Sequence, residues 1–181
     1  MAEFANYPFQ PACKILLPPN LTFEPSRTSI KRNGVVRGYA ANTHQGLIRN
    51  YNEDRVSIIL NIVEPEERIK SAGGDKREPW PVCSFFGIYD GHGGAKCADY
   101  LRDNLHQFVV KEDCFISDPR EAIRKGFAKA ENEWISKHAI EVKNGIRTVK
   151  DRSGSCAIVV IIIEDMCYVA NVGDSRAVMS G

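Results

Sequence analysis

The feature that most constrains this chain is the run Ala157-Ile158-Val159-Val160-Ile161-Ile162-Ile163, which contains no polar side chain. A run that is mostly β-branched favours extended backbone, where the branched side chains pack on a pleated surface. Because it does not alternate, it reads as a strand buried on both faces. It is far shorter than the roughly 20 residues a membrane helix needs. Glu164-Asp165 breaks it, and Met166-Cys167-Tyr168-Val169-Ala170-Asn171 then runs back beside it. A buried hairpin of this kind requires further layers around it.

Those layers are legible upstream. Val36–Asn42, Arg55–Ile62 and Cys83–Tyr89 read as strands, and residues 64–81 as a charged loop. Cys97, Leu101, Leu105 and Phe108 recur at helical spacing, as do Ile123, Phe127, Ala130 and Trp134. The second helix has a written start, with Asp118 as N-cap, Pro119 at the first helical position and Glu121 three after the cap. Arg176–Met179 reads as a last strand. Strands, two helices and strands again favour an α+β layered fold over βαβ alternation. Five of the nine prolines fall at or before Pro25, so residues 1–34 read as an extended arm and residues 35–181 as the domain.

Composition removes several classes of function. With 24 basic and 23 acidic residues the net charge is +1, so no global field draws the chain to nucleic acid or anionic membrane. The start lacks a basic region followed by an apolar stretch, and the six cysteines include no C-x-x-C pair. Buried free thiols and a cytoplasmic or nuclear home are the expectation. EF-hand spacing, a P-loop and G-x-G-x-x-G are absent.

Carboxylates gather at strand ends: Glu53-Asp54 before the second strand, Asp90 after the third, Asp174 after a hairpin strand. Carboxylates with backbone carbonyls form a hard oxygen site suited to Mg²⁺, Mn²⁺ or Ca²⁺. Glycines at 91, 93 and 94 let backbone approach a metal or phosphate, and the Gly91 carbonyl could serve as a ligand. Taken singly, Arg49, Arg176 and His92 read as ordinary surface or turn residues.

The combination is more specific. Arg49-Asn50-Tyr51-Asn52-Glu53-Asp54, Phe85-Phe86-Gly87-Ile88-Tyr89-Asp90-Gly91-His92-Gly93-Gly94, Ser153-Gly154-Ser155-Cys156-Ala157 and Ala170-Asn171-Val172-Gly173-Asp174-Ser175-Arg176-Ala177 follow in one order. From about residue 36 onward the chain resembles the metal-dependent serine/threonine protein phosphatases of type 2C. The resemblance implies an αββα sandwich of two antiparallel sheets flanked by helices, with two Mg²⁺ or Mn²⁺ ions at one end. Asp90 would bridge the ions, Glu53 and the Gly91 carbonyl would complete one ligand set, and Asp174 would serve a weaker site. Asp54 would hold the metal-bound water, Arg49 would clamp the phosphate of a phosphoprotein substrate, and His92 would be the general acid.

The chain departs from the pattern twice. The family commonly has threonine where this chain has Cys156. Two later aspartates that would ligate the other metal do not occur before Gly181. The resemblance therefore implies a C-terminally incomplete catalytic domain, with little or no turnover from residues 1–181 alone. The alternatives are a non-catalytic phosphatase-like binding or regulatory module, and a generic Mg²⁺- or Ca²⁺-binding fold.

Overall fold

The computed structural model describes residues 27–29, 34, 36–71 and 78–180. Most of the segment read as an arm lies outside them, as does Cys13. Strand β1 (Arg27–Ser29) pairs antiparallel with β2 (Tyr39–Ala41), so the strand expected over 36–42 is three residues long.

Strand β3 (Arg55–Ile59) ends before the expected Ile62. Carbonyls just beyond it are taken up by side-chain donors: Ser84 Oγ donates to Leu60 C=O at 2.7 Å, and Trp80 Nε1 to Ile62 C=O at 2.7 Å. The charged loop contains a short helix, α1 (Glu66–Ser71), which corrects the reading of 64–81 as loop throughout. Pro65 stands just before it, Glu66 and Glu67 fill its first turn, and Lys70 pairs back to Glu66 at 3.1 Å.

Strand β4 (Cys83–Tyr89) matches its expected limits and leads into the short β5 (Gly91–His92). Helices α2 (Lys96–Val110) and α3 (Pro119–Trp134) follow, and Asp118 Oδ1 accepts the Glu121 N–H at 3.1 Å as the N-cap pattern predicts. A π-helical turn (Ile135–Ala139) then leads into the hairpin β6 (Ile140–Lys143) and β7 (Ile146–Val149), which the hydrophobic pattern did not reveal. Its turn signal is nevertheless plain: Asn144 and Gly145 both have positive φ, 50° and 77°, as a two-residue hairpin turn requires. Strand β8 (Gly154–Ser155) pairs with β5. Strands β9 (Ala157–Ile163) and β10 (Met166–Val172) form the expected hairpin.

The central sheet is antiparallel in the order β10-β9-β4-β3. Its register places Phe85 opposite Ile161, and Ile161 opposite Tyr168. On that face Phe85, Tyr89, Val159 and Ile161 are fully buried with Leu105 and Val109 of α2 and with Phe115. At roughly 25 cal/mol per Å² of apolar surface, each such side chain contributes about 1.5–3 kcal/mol. Gly126 brings α3 against α2, because a Cβ there would meet Val109 Cγ2 at 2.6 Å.

The fold is thus α+β, with helices on one face of an antiparallel sheet. On the other face lie Phe86, Ile88 and Val169. Among the described residues no helix covers it, and Ile88 and Val169 are 51% and 55% exposed. The apolar run therefore buries all its helix-facing side chains, while on the opposite face Ile158 is buried and Val160 and Ile162 are half-buried. The described residues build one sheet of the αββα arrangement, and the remaining strands pair two by two. The strand expected over Arg176–Met179 does not form. Among the described residues β10 has no outer partner, and Val178 and Met179 are more than 90% exposed. The thiols divide likewise: Cys83 and Cys97 are buried, Cys114 and Cys156 half-buried, and Cys167 exposed, which corrects the expectation for Cys167. Burial pushes the Cys83 and Cys97 thiols up to about 11.

Candidate metal and phosphate site

The site follows from sheet register. Arg55, the first residue of β3, lies opposite Tyr89, the last of β4. Glu53-Asp54 entering β3 and Asp90-Gly91 leaving β4 therefore meet at one sheet end. Together with His44, Gln45, Arg49, Tyr51 and Asn52 they line a cavity of about 210 Å³.

Each wall has a local cause. Asn52 Oδ1 accepts the Asp54 N–H at 2.9 Å, closing an Asx turn, while its Nδ2 donates to Thr43 Oγ1 at 2.8 Å. Arg55 holds the turn from behind. It donates to the carbonyls of Asn52 and Asp54, both at 2.8 Å, and its Nε pairs with Asp99 of α2 at 2.7 Å. The Glu53 carboxylate accepts the Gly94 N–H at 2.7 Å and the Tyr51 hydroxyl at 3.0 Å. Arg49 stands 3.6 Å from it, with its side chain 75% exposed at the cavity mouth. Gly91 is required sterically, because any Cβ there would collide with the backbone carbonyl of Glu53.

Asp54 carries the electrostatic signature. Burial raises its carboxyl above the ordinary carboxylate range, and the adjacent negative charge of Asp90 raises it further, against the lowering effect of Arg55. Two facing carboxylates with too little positive charge between them suit a hard cation. Among the described residues, however, no three His, Cys, Asp or Glu side chains are gathered closely enough to hold an ion by themselves. The donor chemistry fits a divalent cation, and the described set supplies part of a coordination shell.

The other expected residues lie elsewhere. His92 does not line this cavity. Its imidazole covers Gly154, where a Cβ would collide with the ring, and it borders a separate cavity of about 580 Å³ with Leu101, Phe127 and Trp134. Asp174 is exposed beyond β10 and accepts the Cys156 thiol at 3.3 Å. The Cys156 N–H donates to the Asp90 carbonyl at 2.8 Å. Arg176 lies in the irregular stretch after β10.

Sequence reading overlooked the supports. Tyr51 and Asn52 sit inside the Arg49–Asp54 motif, and Arg55 follows it as the first residue of a strand, so none of the three stands out by residue type. Ser153 opens the Ser153–Ala157 motif, where residue type alone assigns it no role. Helix α2 begins after Ala95, which has no capping side chain. Ser153 Oγ instead accepts the Cys97 N–H at 3.2 Å and donates to Asp151 at 2.6 Å, while Asp151 pairs with Lys96 at 3.0 Å. The cap thus arrives from a residue distant in sequence, where no local pattern could announce it. These bonds hold the Asp151 carboxyl well down, at about 2, with the Ser153 hydroxyl the largest cause.

Residues 65–181 match the family model described as protein phosphatase 2C. The chain belongs to the protein phosphatase 2C family. The matched stretch holds Asp90, Gly91, His92 and Asp174, and begins after Arg49, Glu53 and Asp54. Among curated relatives, Probable protein phosphatase 2C 11 of Arabidopsis thaliana is 40% identical over 115 residues, covering 64% of this chain and 27% of the relative. Probable protein phosphatase 2C 55 of Oryza sativa subsp. japonica is 33% identical over 163 residues, 89% of this chain and 36% of the relative. That alignment is long enough to include residues 49–54. A probable protein phosphatase 2C of Caenorhabditis elegans is 42% identical over 101 residues, 55% of this chain and 26% of the relative. The chain thus spans about a third or less of these protein phosphatase 2C relatives.

Proposed function

We propose that these residues form the substrate-facing half of a protein phosphatase 2C centre that hydrolyses phosphoserine and phosphothreonine in proteins with Mg²⁺ or Mn²⁺. The observation that carries this reading is the Asp54–Asp90 carboxylate pair facing the same cavity as Arg49, in a chain of this family. Divalent cations, when bound, supply Lewis acidity and neutralise charge on the transferring phosphoryl group. Asp90, Glu53 and the Gly91 carbonyl would hold them, with Asp174 serving a weaker site.

The chain's own groups do the rest. Arg49, at the cavity mouth, binds phosphate through its planar fork. Asp54 would accept a hydrogen bond from the attacking water. The Gly94 N–H and the Tyr51 hydroxyl fix the orientation of Glu53. His92, which borders a separate cavity, would be the donor to the leaving serine or threonine oxygen.

The test is phosphate release from a phosphothreonine peptide by the native protein carrying these residues, in Mn²⁺ and in EDTA. Release that requires Mn²⁺ and is lost in Asp90→Asn supports the reading, and metal-independent release overturns it. Residues 1–181 alone should show little or no turnover. The incomplete carboxylate set favours one second reading, a phosphatase-like module that binds without turning over. It is supported if the native protein binds the peptide and releases no phosphate.

A further inference from the structure

We infer that the β6–β7 hairpin is a docking edge that takes an extended acidic segment of the phosphoprotein substrate as a third strand. That the occupant is a substrate rests on the phosphatase reading above, and the experiment below separates the two.

The hairpin lacks what a hairpin needs. Among the described residues its strands pair only with each other, and two strands alone are marginally stable in water. The outer edge of β7 is open, and all of its residues are exposed. Val142 lies opposite Arg147 and Ile140 opposite Val149, so these residues share one face. Val142 and Val149 are 60% and 63% exposed on it. Open edges of this kind receive extended peptides through main-chain hydrogen bonds, with side chains such as these setting the preference.

Charge selects the occupant. Residues 137–152 hold five Lys and Arg against two Asp and Glu, a local charge of +3 in a chain whose total is +1. Lys137 is taken by Glu133 at 3.2 Å, and Asp151 by Lys96 at 3.0 Å. Arg147, Lys150 and Arg152 are exposed and have no ion-pair partner among the described residues. A second copy of the hairpin would set like charges side by side, which destabilises strand pairing. A strand carrying Asp or Glu supplies the charges that Arg147 and Lys150 lack.

Position ties this edge to the candidate centre. The Lys150 N–H donates to the Ala139 carbonyl at 2.8 Å, so the ladder carries on to Lys150. Arg152 follows and lines the 580 Å³ cavity that His92 borders. Gly154 then pairs with His92. From Val149 to Gly154 the chain spans at most about 18 Å. An extended substrate leaving β7 therefore reaches the centre within about five to ten residues.

The probes are fluorescein-labelled phosphothreonine peptides with glutamates about five to ten residues away on both sides, the same peptide with glutamines there, and the glutamate peptide N-methylated along the acidic segments. Fluorescence anisotropy with the 181-residue chain reads binding without turnover. The glutamate peptide should bind about tenfold tighter than the glutamine peptide, as several exposed ion pairs together allow. It should bind about fivefold tighter than the N-methylated copy, which has lost main-chain donors. The double variant Arg147→Glu, Lys150→Glu, with an unchanged Tm, should erase the first difference. Equal binding of the glutamate peptide and either of the others overturns the inference, as does a preference that survives in the double variant. In the native protein carrying these residues, the double variant should raise KM for the glutamate peptide about tenfold with kcat within about twofold. Mn²⁺-dependent turnover of p-nitrophenyl phosphate, too small to reach the hairpin, should stay unchanged, and an equal loss on both substrates overturns the docking role. An acidic preference that the double variant loses, with no phosphate released from any substrate by the native protein, overturns the phosphatase reading and leaves the acidic docking edge standing.

Discussion

Replacing Ser153 with alanine tests how the α2 end of the site is held. Ser153 is 6% exposed, and its hydroxyl accepts the Cys97 N–H at the start of α2 and donates to Asp151. Loss of a helix N-cap costs about 1 kcal/mol, and loss of a hydrogen bond to a carboxylate about as much again once the remaining Ser153 N–H and Lys96 contacts are counted. The expected destabilisation is about 2 kcal/mol. For a chain of this size that corresponds to about 4–8 °C in Tm. Thermal unfolding by circular dichroism at pH 7 measures it.

The same variant carries a pH signature. The folded Asp151 pKa, at about 2, lies below its ordinary unfolded value, so between them the unfolded chain binds more protons. Asp151 therefore stabilises the fold fully above about pH 4, and that contribution is lost as pH falls toward 2. Ser153→Ala removes the largest cause of the depression, so it should flatten the dependence of Tm on pH in this window. A Tm within a degree of wild type at pH 7, or an unchanged slope below pH 4, would refute the remote cap.

Two further predictions concern α2 and the turn it supports. His106 Nδ1 is buried among the described residues without a hydrogen-bond partner, beside the Phe85 ring at 6.0 Å, and burial lowers its pKa. The unfolded chain thus takes the proton first, so stability should fall as pH drops from 7 to 5, and urea unfolding of His106→Leu should show a flatter response. Arg55→Lys keeps the charge but cannot serve Asp99 and two carbonyls from one planar group. It should cost about 1–2 kcal/mol in urea unfolding and reduce phosphate release about tenfold, and native-like values for both would show that the turn holds itself.

What the sequence made legible was local chemistry. The β9–β10 hairpin, β4, and the Asp118–Pro119 start of α3 are announced by neighbouring residues, and the structure agrees with them closely. The hairpin over 140–149 is short, and its apolar residues Val142, Ile146 and Val149 stay exposed and reach no core, although Asn144-Gly145 marks its turn. Arg176–Met179 has the composition of a strand, yet a strand requires a partner to hydrogen-bond. The site divided along the same line. Arg49, Glu53, Asp54, Asp90 and Gly91 meet because antiparallel pairing brings the start of β3 to the end of β4. His92 and Asp174 follow the short β5–β8 ladder and the end of β10 instead, and residue type alone does not reveal where those turn.

The pairing of Arg55 with Tyr89 has a consequence for folding fidelity. A slip of one residue between β3 and β4 would send the β3 side chains to the opposite face, because side chains alternate along a strand. The same slip would carry Asp54 along the sheet edge, away from Asp90. One hydrogen-bonding register therefore sets both the burial of Ser57 against Tyr89 and the meeting of the two carboxylates. A chain that paired wrongly would present no half-formed centre capable of weak, indiscriminate chemistry. Core and site are correct together or absent together, so the sheet acts as its own proofreader.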